Sequence, residues 1–570
     1  MWTYGAPSLS VSKAVRLARL TRVGSVAGTA VLLLASCDSA HIAPPSAPPG
    51  GAVAATATPF LPAPPSPTPA VTRIWLSPAT PPGLTDRVRR ASLALAGRVE
   101  LVPEPETDAL RLVPGENSGV AEWTYVLAAP FPTIRDSIGL TELRSLWQEP
   151  DASAPPILAS AATVEAMRVV LGEPGGNVRP TDDPEVMIDE AWRARPALAI
   201  IPFEELESRW KVLEVDGQSP VRRDFDASAY PLLVSYGVQG EAGLPEELRL
   251  ALEGQAGAEL PISNRRPDRL TTVVITGVTA LTRATAWQMS RRGVTFPAQG
   301  IGDWLRQADV THISHEVSFA PDCPEPLPDL TVLLFCASPA HADLLKEVGA
   351  DVVELTGNHL LDAGPEAMLY TLELYRQLGL RWYGGGADLA AAKLPVLIEH
   401  NGNRIAFLGC NEAGPVGAWA MEGRPGANPC GADRLQSQAS DLRQEGYLPI
   451  ATFQWHENYT PLATASQREI FGAAAAAGAA AVSGSQAHQP QGFGFQDGAF
   501  IHYGLGNLFF DQMWSEDVRK EFIDRYVFYE GRLVSVELLT AYLEDWARPR
   551  PMTPEEREAF LEEIFRASGW

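Results

Sequence analysis

The chain has 570 residues, of which 45% are hydrophobic and 20% are charged, a balance typical of a globular protein. Its formal net charge of −24 at pH 7 argues against nucleic acid as a partner and against a surface that binds lipid headgroups, because both are polyanionic. A chain of this length exceeds one ordinary hydrophobic core and predicts about two or three domains.

The first 37 residues have the chemical order of a lipoprotein signal. A basic stretch at 13–22 precedes an apolar run at 23–34, which is too short to span a bilayer as a permanent helix. Small residues then lead to Cys37, which would become the lipidated first residue of the mature chain. An uncleaved anchor is the alternative. Either interpretation predicts a protein held at the cell membrane with its bulk outside the cytoplasm.

Residues 38–72 predict a disordered tether. Ala, Pro, Ser, Thr and Gly dominate this segment, and they bury too little apolar surface to offset the entropy of ordering the chain. Proline-rich segments are extended and semi-rigid, so the tether would hold the folded part away from the membrane.

Residues 73–265 predict a first folded domain. Short apolar strands alternate with amphipathic helices, which predicts the α/β class with a mostly parallel sheet. The strands fall at 111–113, 125–128 and 198–201, and the helices at 140–147, 163–171 and 184–195.

One segment of this domain, 125–147 (YVLAAPFPTIRDSIGLTELRSLW), is similar to the hinge strand and following helix of periplasmic solute-binding proteins of the phosphate-binding type. The helix start at 161–163 is similar as well, and its free amides would receive an anion. A scaffold or spacer that binds no ligand is the alternative.

Residues 270–545 predict a second α/β domain in which polar clusters follow buried strands. The strands at 273–276, 351–355, 448–453, 479–483 and 499–503 end at polar or glycine-rich stretches that begin at 277, 357, 454, 484 and 504. Open α/β sheets bind ligands beyond the carboxyl ends of their strands. The sequence therefore predicts one site built from these loops.

Four cysteines remain when Cys37 is set aside. An even number outside the cytoplasm favours disulfides, and proximity in sequence predicts the pairs Cys323–Cys336 and Cys410–Cys430. A zinc site built from all four is the weaker alternative, because the chain has no C-x-x-C spacing.

Four motifs of the second domain resemble the CapA family of capsule-synthesis proteins, which is associated with poly-γ-glutamate. They are LTGNHLLDAG (355–364), YGGGA (383–387), SGSQAHQPQ (483–491) and HYGLGNLFFD (502–511). The resemblance implies a fold similar to the metallophosphoesterases, a four-layer α/β/β/α sandwich preceded by the smaller solute-binding-protein-like domain.

The resemblance also implies a set of site residues. The candidates for catalysis and for metal binding are Glu316, Asn358, His359 and His488. In the first loop the family has Gly-Asp, whereas this chain has a valine, Val278, in place of the carboxylate. A two-ion phosphoesterase needs a bridging carboxylate and about four donors per ion, so the surviving set would hold one divalent ion with open positions, or none.

The candidates for substrate binding come from three other places. Arg283 lies where the family also has an arginine and is the candidate for a polymer carboxylate, because guanidinium groups bind carboxylates in a bidentate manner. His456 and Glu457 follow the strand at 448–453, and Asn507 lies in the closing loop.

The differences from the family pattern leave two classes of function. The first is a membrane-anchored binding protein for the synthesis or export of an anionic capsule polymer such as poly-γ-glutamate, in contact with the polymer or its synthesis machinery. The second is a metal-dependent hydrolase of phosphoester bonds or γ-amide bonds with a degenerate metal site. The missing ligands favour the first class.

The last segment, 546–570, predicts a capped helix. Thr553 is the N-cap, Pro554 takes the first helical position and Glu556 completes a capping box. An apolar face should dock on a domain, and its members are Phe560, Leu561, Ile564 and Phe565.

Overall fold

The computed structural model describes residues 71–115, 119–240, 243–329, 331, 333–431 and 433–570. The predicted lipoprotein signal with Cys37, and the predicted tether up to residue 70, lie outside the described residues. The described residues from Val71 to Trp570 belong to one compact unit.

The first part of this unit contains twelve described strands and five described α-helices. The strands are β1 (Thr72–Leu76), β2 (Val99–Val102), β3 (Leu110–Pro114), β4 (Ala121–Pro130), β5 (Ser137–Ile138), β6 (Ile157–Ala159), β7 (Val178–Pro180), β8 (Leu198–Pro202), β9 (Trp210–Val212), β10 (Glu214–Val215), β11 (Leu233–Gln239) and β12 (Ile262–Ser263). The helices are α1 (Pro82–Ala94), α2 (Leu140–Trp147), α3 (Ala161–Leu171), α4 (Pro184–Arg193) and α5 (Glu246–Ala256).

The sheet of this part is mixed: parallel pairs at both ends of the sheet flank antiparallel pairs made by β4 and β11, which the prediction of a mostly parallel sheet missed. Its order in the described residues is β2-β1-β3-β11-β4-β8-β6-β7, with β9 and β12 also on β4. The long strand β4 runs antiparallel to β8, β9 and β11. Strand β11 returns late in the chain and inserts between β3 and β4, and the local alternation of strands and helices carries no signal for that insertion.

The second part contains the remaining strands and helices. The strands are β13 (Leu270–Thr276), β14 (Val278–Thr279), β15 (Val310–His315), β16 (Val352–Glu354), β17 (Arg381–Tyr383), β18 (Gly385–Gly386), β19 (Val396–His400), β20 (Asn403–Asn411), β21 (Gly426–Ala427), β22 (Leu448–Gln454), β23 (Ala481–Ser485), β24 (Phe493–Gln496), β25 (Ala499–His502), β26 (Lys520–Tyr529), β27 (Arg532–Glu544) and β28 (Arg548–Pro551). The helices are α6 (Arg283–Arg292), α7 (Gly302–Arg306), α8 (Asp343–Glu347), α9 (Pro365–Leu378), α10 (Leu389–Ala392), α11 (Arg434–Gln444), α12 (Ala465–Ala476) and α13 (Pro554–Ala567).

These elements form the predicted four-layer sandwich. One sheet has the order β17-β16-β15-β13-β26-β27-β28 with β14 on β15, and the other has the order β19-β20-β22-β23-β25-β24. Side chains such as Ile275, Phe407 and Ile450 fill the space between the sheets. Helices α6 to α9 cover the outer face of the first sheet, and α11 and α12 cover the outer face of the second. The α/β/β/α prediction is confirmed.

Helix α13 confirms the predicted cap and the predicted docking face. The Thr553 hydroxyl accepts from the Glu556 amide, and the Glu556 side chain accepts from the Thr553 amide. All four apolar residues of the predicted face are buried in the core between the sheets.

The two parts share that core. Phe131, at the end of β4, packs against Phe495 and Phe500 at centroid distances of 5.3 Å and against Phe565 of α13 at 6.3 Å. Beside this contact a cavity of about 210 Å³ is crossed by ion pairs, among them Arg557 with Asp136 at 2.9 Å. The first part is therefore joined to the sandwich by apolar packing as well as by charge.

Both predicted disulfides are present, Cys323–Cys336 and Cys410–Cys430. Each closes a loop that follows a sheet strand in the sandwich. Among the helices that the structure describes, none has the length and hydropathy needed to cross a membrane.

Candidate functional site

The polar loops meet at the side chain of Gln454, the last residue of β22. Its amide nitrogen donates to Gln486 at 2.5 Å, to Asn358 at 3.3 Å and to Glu316 at 3.5 Å. Its amide oxygen accepts from the Ser485 hydroxyl at 2.6 Å. Three oxygen atoms from three different loops therefore converge on one nitrogen.

Parallel strand pairing explains why these side chains meet. Strand β15 runs parallel to β13 and β16, and β22 runs parallel to β20 and β23, so their carboxyl ends lie at the same edge of the two sheets. Glu316 directly follows β15, and Gln486 directly follows β23. Gln486 has a left-handed backbone with φ of 74°, which non-glycine residues seldom adopt and which surrounding structure must stabilise.

Glu316 is the buried carboxylate of this cleft and is 2% exposed. Burial raises the pKa of its carboxyl above the usual range. The neighbouring imidazoles of His359 and His488, the hydrogen bond from Gln454 and the charge of Arg283 act in the opposite direction. Glu316 thus lies within electrostatic reach of His359, His488 and Arg283.

His359 is held by Asp362. Its Nδ1 lies 2.7 Å from the Asp362 carboxylate, which also accepts from the Phe335 amide at 3.0 Å. Burial lowers the pKa of His359, but the hydrogen bond to Asp362 and the negative charges of Glu316 and Asp362 outweigh burial, so this pKa lies above its ordinary value. Helix α9 has Gly364 as its N-cap, without a side-chain cap. Asp362 therefore orients an imidazole and does not cap the helix.

His488 is held by Asn507. The Asn507 amide group donates to the backbone carbonyls of His488 and Val518, which leaves its oxygen facing His488 Nδ1 at 2.8 Å. A carboxamide oxygen only accepts, so Nδ1 of His488 carries a proton and donates it to Asn507.

Arg283, predicted to bind a polymer carboxylate, is paired with a carboxylate of the protein. Its guanidinium donates to both oxygens of Asp511, and its side chain is 9% exposed. The Asp511 carboxylate also accepts from the Ala284 amide at 2.9 Å. A ligand carboxylate would have to share this guanidinium with Asp511.

The other two predicted substrate residues lie outside the centre of the cleft. His456 is exposed and its ring lies 5.3 Å from that of Trp455. Glu457 is exposed at the mouth, where it accepts from the Tyr459 hydroxyl. The residue of this segment that reaches Glu316 is Gln454.

The alternation of side chains along β22 could have identified Gln454 as a site residue. Side chains alternate between the faces of a strand, so Ile450 and Gln454 lie on the face between the sheets while Phe453 and Trp455 pack under α12. The sequence prediction favoured His456 and Glu457. It missed Gln454, the last residue of β22 on the face between the sheets.

A row of aromatic and imidazole rings lines one wall of the cleft, and we call it the ring row. Successive centroid distances are 4.7 Å for Trp514–Tyr459, 6.3 Å for Tyr459–His488, 5.4 Å for His488–Phe510, 6.3 Å for Phe510–Phe335 and 4.1 Å for Phe335–His359. The Arg283 guanidinium lies over Phe335 and Phe510 at 4.6 and 5.3 Å. The ring row connects the exposed mouth with His359.

The arrangement does not fit a two-ion centre. In such a centre the oxygens of several loops would surround a cation, whereas here they surround the Gln454 amide nitrogen. Val278, in place of the first-loop carboxylate, is fully buried in the apolar core under the first sheet. Within the described ranges, no three His, Cys, Asp or Glu side chains are placed to hold an ion.

In the first part of the unit, the helix start predicted to receive an anion is already satisfied. The Ala161 amide donates to Asp182 at 2.8 Å, and the Thr163 amide donates to the Ser160 hydroxyl at 3.1 Å. At α1 the Glu204 carboxylate lies against Gly83 in the first turn, where a Cβ would come within 2.5 Å of its oxygen. Carboxylates of the protein thus lie at both helix N-termini.

Residues 272–512 match the model of a protein family described as bacterial capsule synthesis protein PGA_cap. The match covers the sandwich up to Gln512 and includes Gln454 and the loops around it. This part of the chain is similar to that family and to the CapA relatives, and the resemblance to CapA is confirmed.

Three relatives carry names that agree with this family. The capsule biosynthesis protein CapA of Bacillus anthracis is 24% identical over 302 residues, which cover 52% of this chain and 72% of that protein. The PGA biosynthesis protein CapA of Bacillus subtilis (strain 168) is 28% identical over 173 residues, covering 30% and 46%. A probable polyglutamine synthesis accessory protein of Mycobacterium tuberculosis is 24% identical over 219 residues, covering 35% and 58%. The chain therefore spans less than two thirds of the length of the second and third relatives.

Solved structures give weaker similarities. A hypothetical protein from Thermus thermophilus has a TM-score of 0.31 at 14% identity, covering 48% of this chain and 100% of that one. The NAD nucleotidase of Haemophilus influenzae has a TM-score of 0.31 at 12% identity, covering 52% and 56%. An ABC-type phosphate transport receptor from Vibrio cholerae has a TM-score of 0.26 at 9% identity, covering 33% and 100%. Similarities of this size carry no argument about ligand or activity.

Proposed function

We propose that the chain is a protein of capsule polymer synthesis that binds an anionic polyamide, such as poly-γ-glutamate, in the cleft around Gln454. The names of its relatives support the role in synthesis of such a polymer. The observation that carries the binding proposal is the amide nitrogen at the point where the loop oxygens converge.

The groups of the cleft suit a polyamide. Asn358, Gln454 and Gln486 present carboxamides, which donate and accept in the same geometry as the amide bonds of a γ-linked chain. His359 has a raised pKa and supplies a positive charge for a polymer carboxylate. The alternative, a metal-dependent hydrolase of phosphoester or γ-amide bonds, finds no support in a cleft centred on an amide donor.

The proposal places the protein at the outer face of the membrane, anchored through Cys37. Two disulfides in the folded part support an oxidising compartment, because disulfides are rare in the cytoplasm. Lipid labelling of the wild type and of Cys37→Ala tests the anchor.

The binding proposal is tested by replacing the central amide. Gln454→Met keeps a side chain of similar length but leaves the oxygens of Glu316 and Asn358 without a donor. Loss of one such hydrogen bond costs about 1–3 kcal/mol, so oligomers of poly-γ-glutamate should bind roughly 5- to 150-fold more weakly by calorimetry. Gln444→Met, an exposed amide at the end of α11, is the matched control and should bind as the wild type does.

Two measurements separate binding from folding and from hydrolysis. Thermal melting checks that Gln454→Met is folded, and His359→Gln provides a second variant that should also weaken binding. Wild-type affinity in both folded variants would contradict the proposal. Shortening of the polymer in the presence of manganese or zinc would favour the hydrolase instead.

A further inference from the structure

Two exposed aromatic rings form a corner at the mouth of the cleft. Tyr459 is 37% exposed and Trp514 is 60% exposed, which is unusual for side chains that bury large apolar areas when they can. Their centroids are 4.7 Å apart and their planes meet at 71°. The corner is the outer end of the ring row, because Tyr459 stacks on His488.

Among the described residues, arginine side chains cover other aromatic rings but not these two. Arginines lie over the rings of Trp192, Trp287, Tyr447 and Tyr542 at 5.0, 4.7, 4.0 and 4.3 Å. In the part of the chain that the structure describes, no arginine or lysine lies over Tyr459 or Trp514. The corner therefore keeps its capacity for a cation from outside the chain.

Two carboxylates act on the corner. Glu457 accepts from the Tyr459 hydroxyl, which fixes one carboxylate beside the ring. Glu316, at the floor of the cleft, also lies within electrostatic reach of the Tyr459 phenol. Aromatic faces combined with carboxylates are the chemistry that recognises ammonium groups.

The acidic charge of the cleft favours an ammonium group as its ligand. Arg283 and His359 face three acidic groups, Glu316, Asp362 and Asp511, and the whole chain carries −24. A polyanion that lay across this surface would be repelled along most of its length. A polymer that entered with its one cationic end would be attracted first at the mouth.

We infer that the corner of Tyr459 and Trp514 with Glu457 binds the free amino terminus of the polymer, so that the protein recognises a chain end. This inference rests on the proposed function. The ammonium group occupies the corner, and the first amide bonds follow the ring row towards Gln454. The first carboxylates then reach the neighbourhood of His359.

The test uses short γ-linked oligoglutamates of one defined length and the full chain. The oligomer with a free amino terminus should bind at least about 10-fold more tightly than its N-acetylated form, equivalent to about 1.4 kcal/mol. Amidation of the opposite, carboxyl end is the matched chemical control and should change the affinity little. Equal affinity of the free and acetylated oligomers would overturn the inference while leaving the proposed function in place.

A variant separates the corner from the rest of the cleft. Trp514→Leu should abolish the preference for the free amino terminus, so that the free and acetylated oligomers bind this variant equally. Trp287→Leu, whose ring is already covered by Arg291, should keep the preference. A preference that survives in Trp514→Leu would overturn the inference. Failure of every oligomer to bind the wild type would overturn the proposed function, and the inference with it.

Discussion

Glu521 is a buried carboxylate for which the described part of the structure offers no hydrogen-bond donor. Both of its oxygens are shielded from solvent, and the residue is 0% exposed on β26. Burial raises the pKa of its carboxyl well above the usual value. At pH values between its unfolded and folded pKa, the folded protein therefore holds a proton on Glu521 that the unfolded chain releases.

This proton makes stability depend on pH. Between the unfolded pKa and the higher folded pKa, the folded state binds more protons, so the free energy of unfolding falls as pH rises, by up to about 1.4 kcal/mol per pH unit. Below the unfolded pKa of Glu521 this penalty is absent. The raised pKa of Glu521 thus predicts a protein that loses stability from mildly acidic towards alkaline pH.

Glu521→Gln should remove that loss because an amide does not ionise. The melting temperature of the variant should exceed that of the wild type by a margin that grows as pH is raised from 5 to 8. Glu558→Gln, an exposed residue of α13, is the control and should show no growing margin. A constant difference at all pH values would show that Glu521 is already charged in the folded state.

Single site residues could be predicted from the sequence where a family motif marks them. They could not be predicted where a side chain is bonded to a residue far away in the sequence. Asn358, His359 and His488 follow predicted strands, whereas Glu316 was a candidate through the family resemblance alone. The structure brings all four into one cleft. The bond between Arg283 and Asp511 joins residues far apart in sequence, and no local pattern indicates it.

Among the elements, the disulfide loop from Cys323 to Cys336 supports the site most directly. Phe335, beside Cys336, contacts the rings of His359 and Phe510, and its amide donates to Asp362. The disulfide restricts this loop in the unfolded chain and contributes about 3 kcal/mol for a loop of this size.

Replacing both cysteines of this loop by serine should lower the free energy of unfolding by about 3 kcal/mol. It should also weaken binding of oligoglutamate several-fold at temperatures where the variant is folded, because Phe335 no longer holds Asp362 and His359. Phe335→Ala with the disulfide intact should reproduce the loss of binding. Leu333→Ala, a 72% exposed neighbour, should not. Unchanged binding in the double serine variant would separate the loop from the site.

Helices and turns whose limits are set by nearby residues were predicted well. The pairing of strands from distant parts of the chain was not. Helix α13 has its N-cap, its proline and its apolar face within fifteen residues, so the sequence alone sets its limits. The turn between β19 and β20 is likewise set by nearby residues, because Asn401 and Gly402 have the positive φ angles of a tight hairpin. The place of β11 between β3 and β4 depends on contacts that only the assembled sheet provides.

For the whole molecule, Phe131 joins the first part to the sandwich. Its ring touches side chains of β24, β25 and α13, and loss of a buried phenylalanine costs about 3–5 kcal/mol. Phe131→Ala should therefore speed hydrogen exchange in β4 and also in β24, on both sides of the contact.

Phe225→Ala provides the comparison, because this half-buried ring packs within the first part, against Tyr230 and Arg265. Its effect on hydrogen exchange should stay within the first part. If Phe131→Ala also changed exchange only there, the two parts would be energetically independent despite their shared core.

The central strand of the sandwich has a consequence for how the protein is made. Strand β13 pairs along its whole length with β26, from Leu270 with Tyr529 to Thr276 with Ile523. At roughly 5–20 residues per second, a ribosome needs about 12–50 seconds to synthesise the ~250 residues between these partners. During that time the edge of β13 that pairs with β26 has no partner strand. An unpaired edge favours association with other nascent chains. Efficient production of this protein should therefore depend on a chaperone that holds β13 until β26 has emerged.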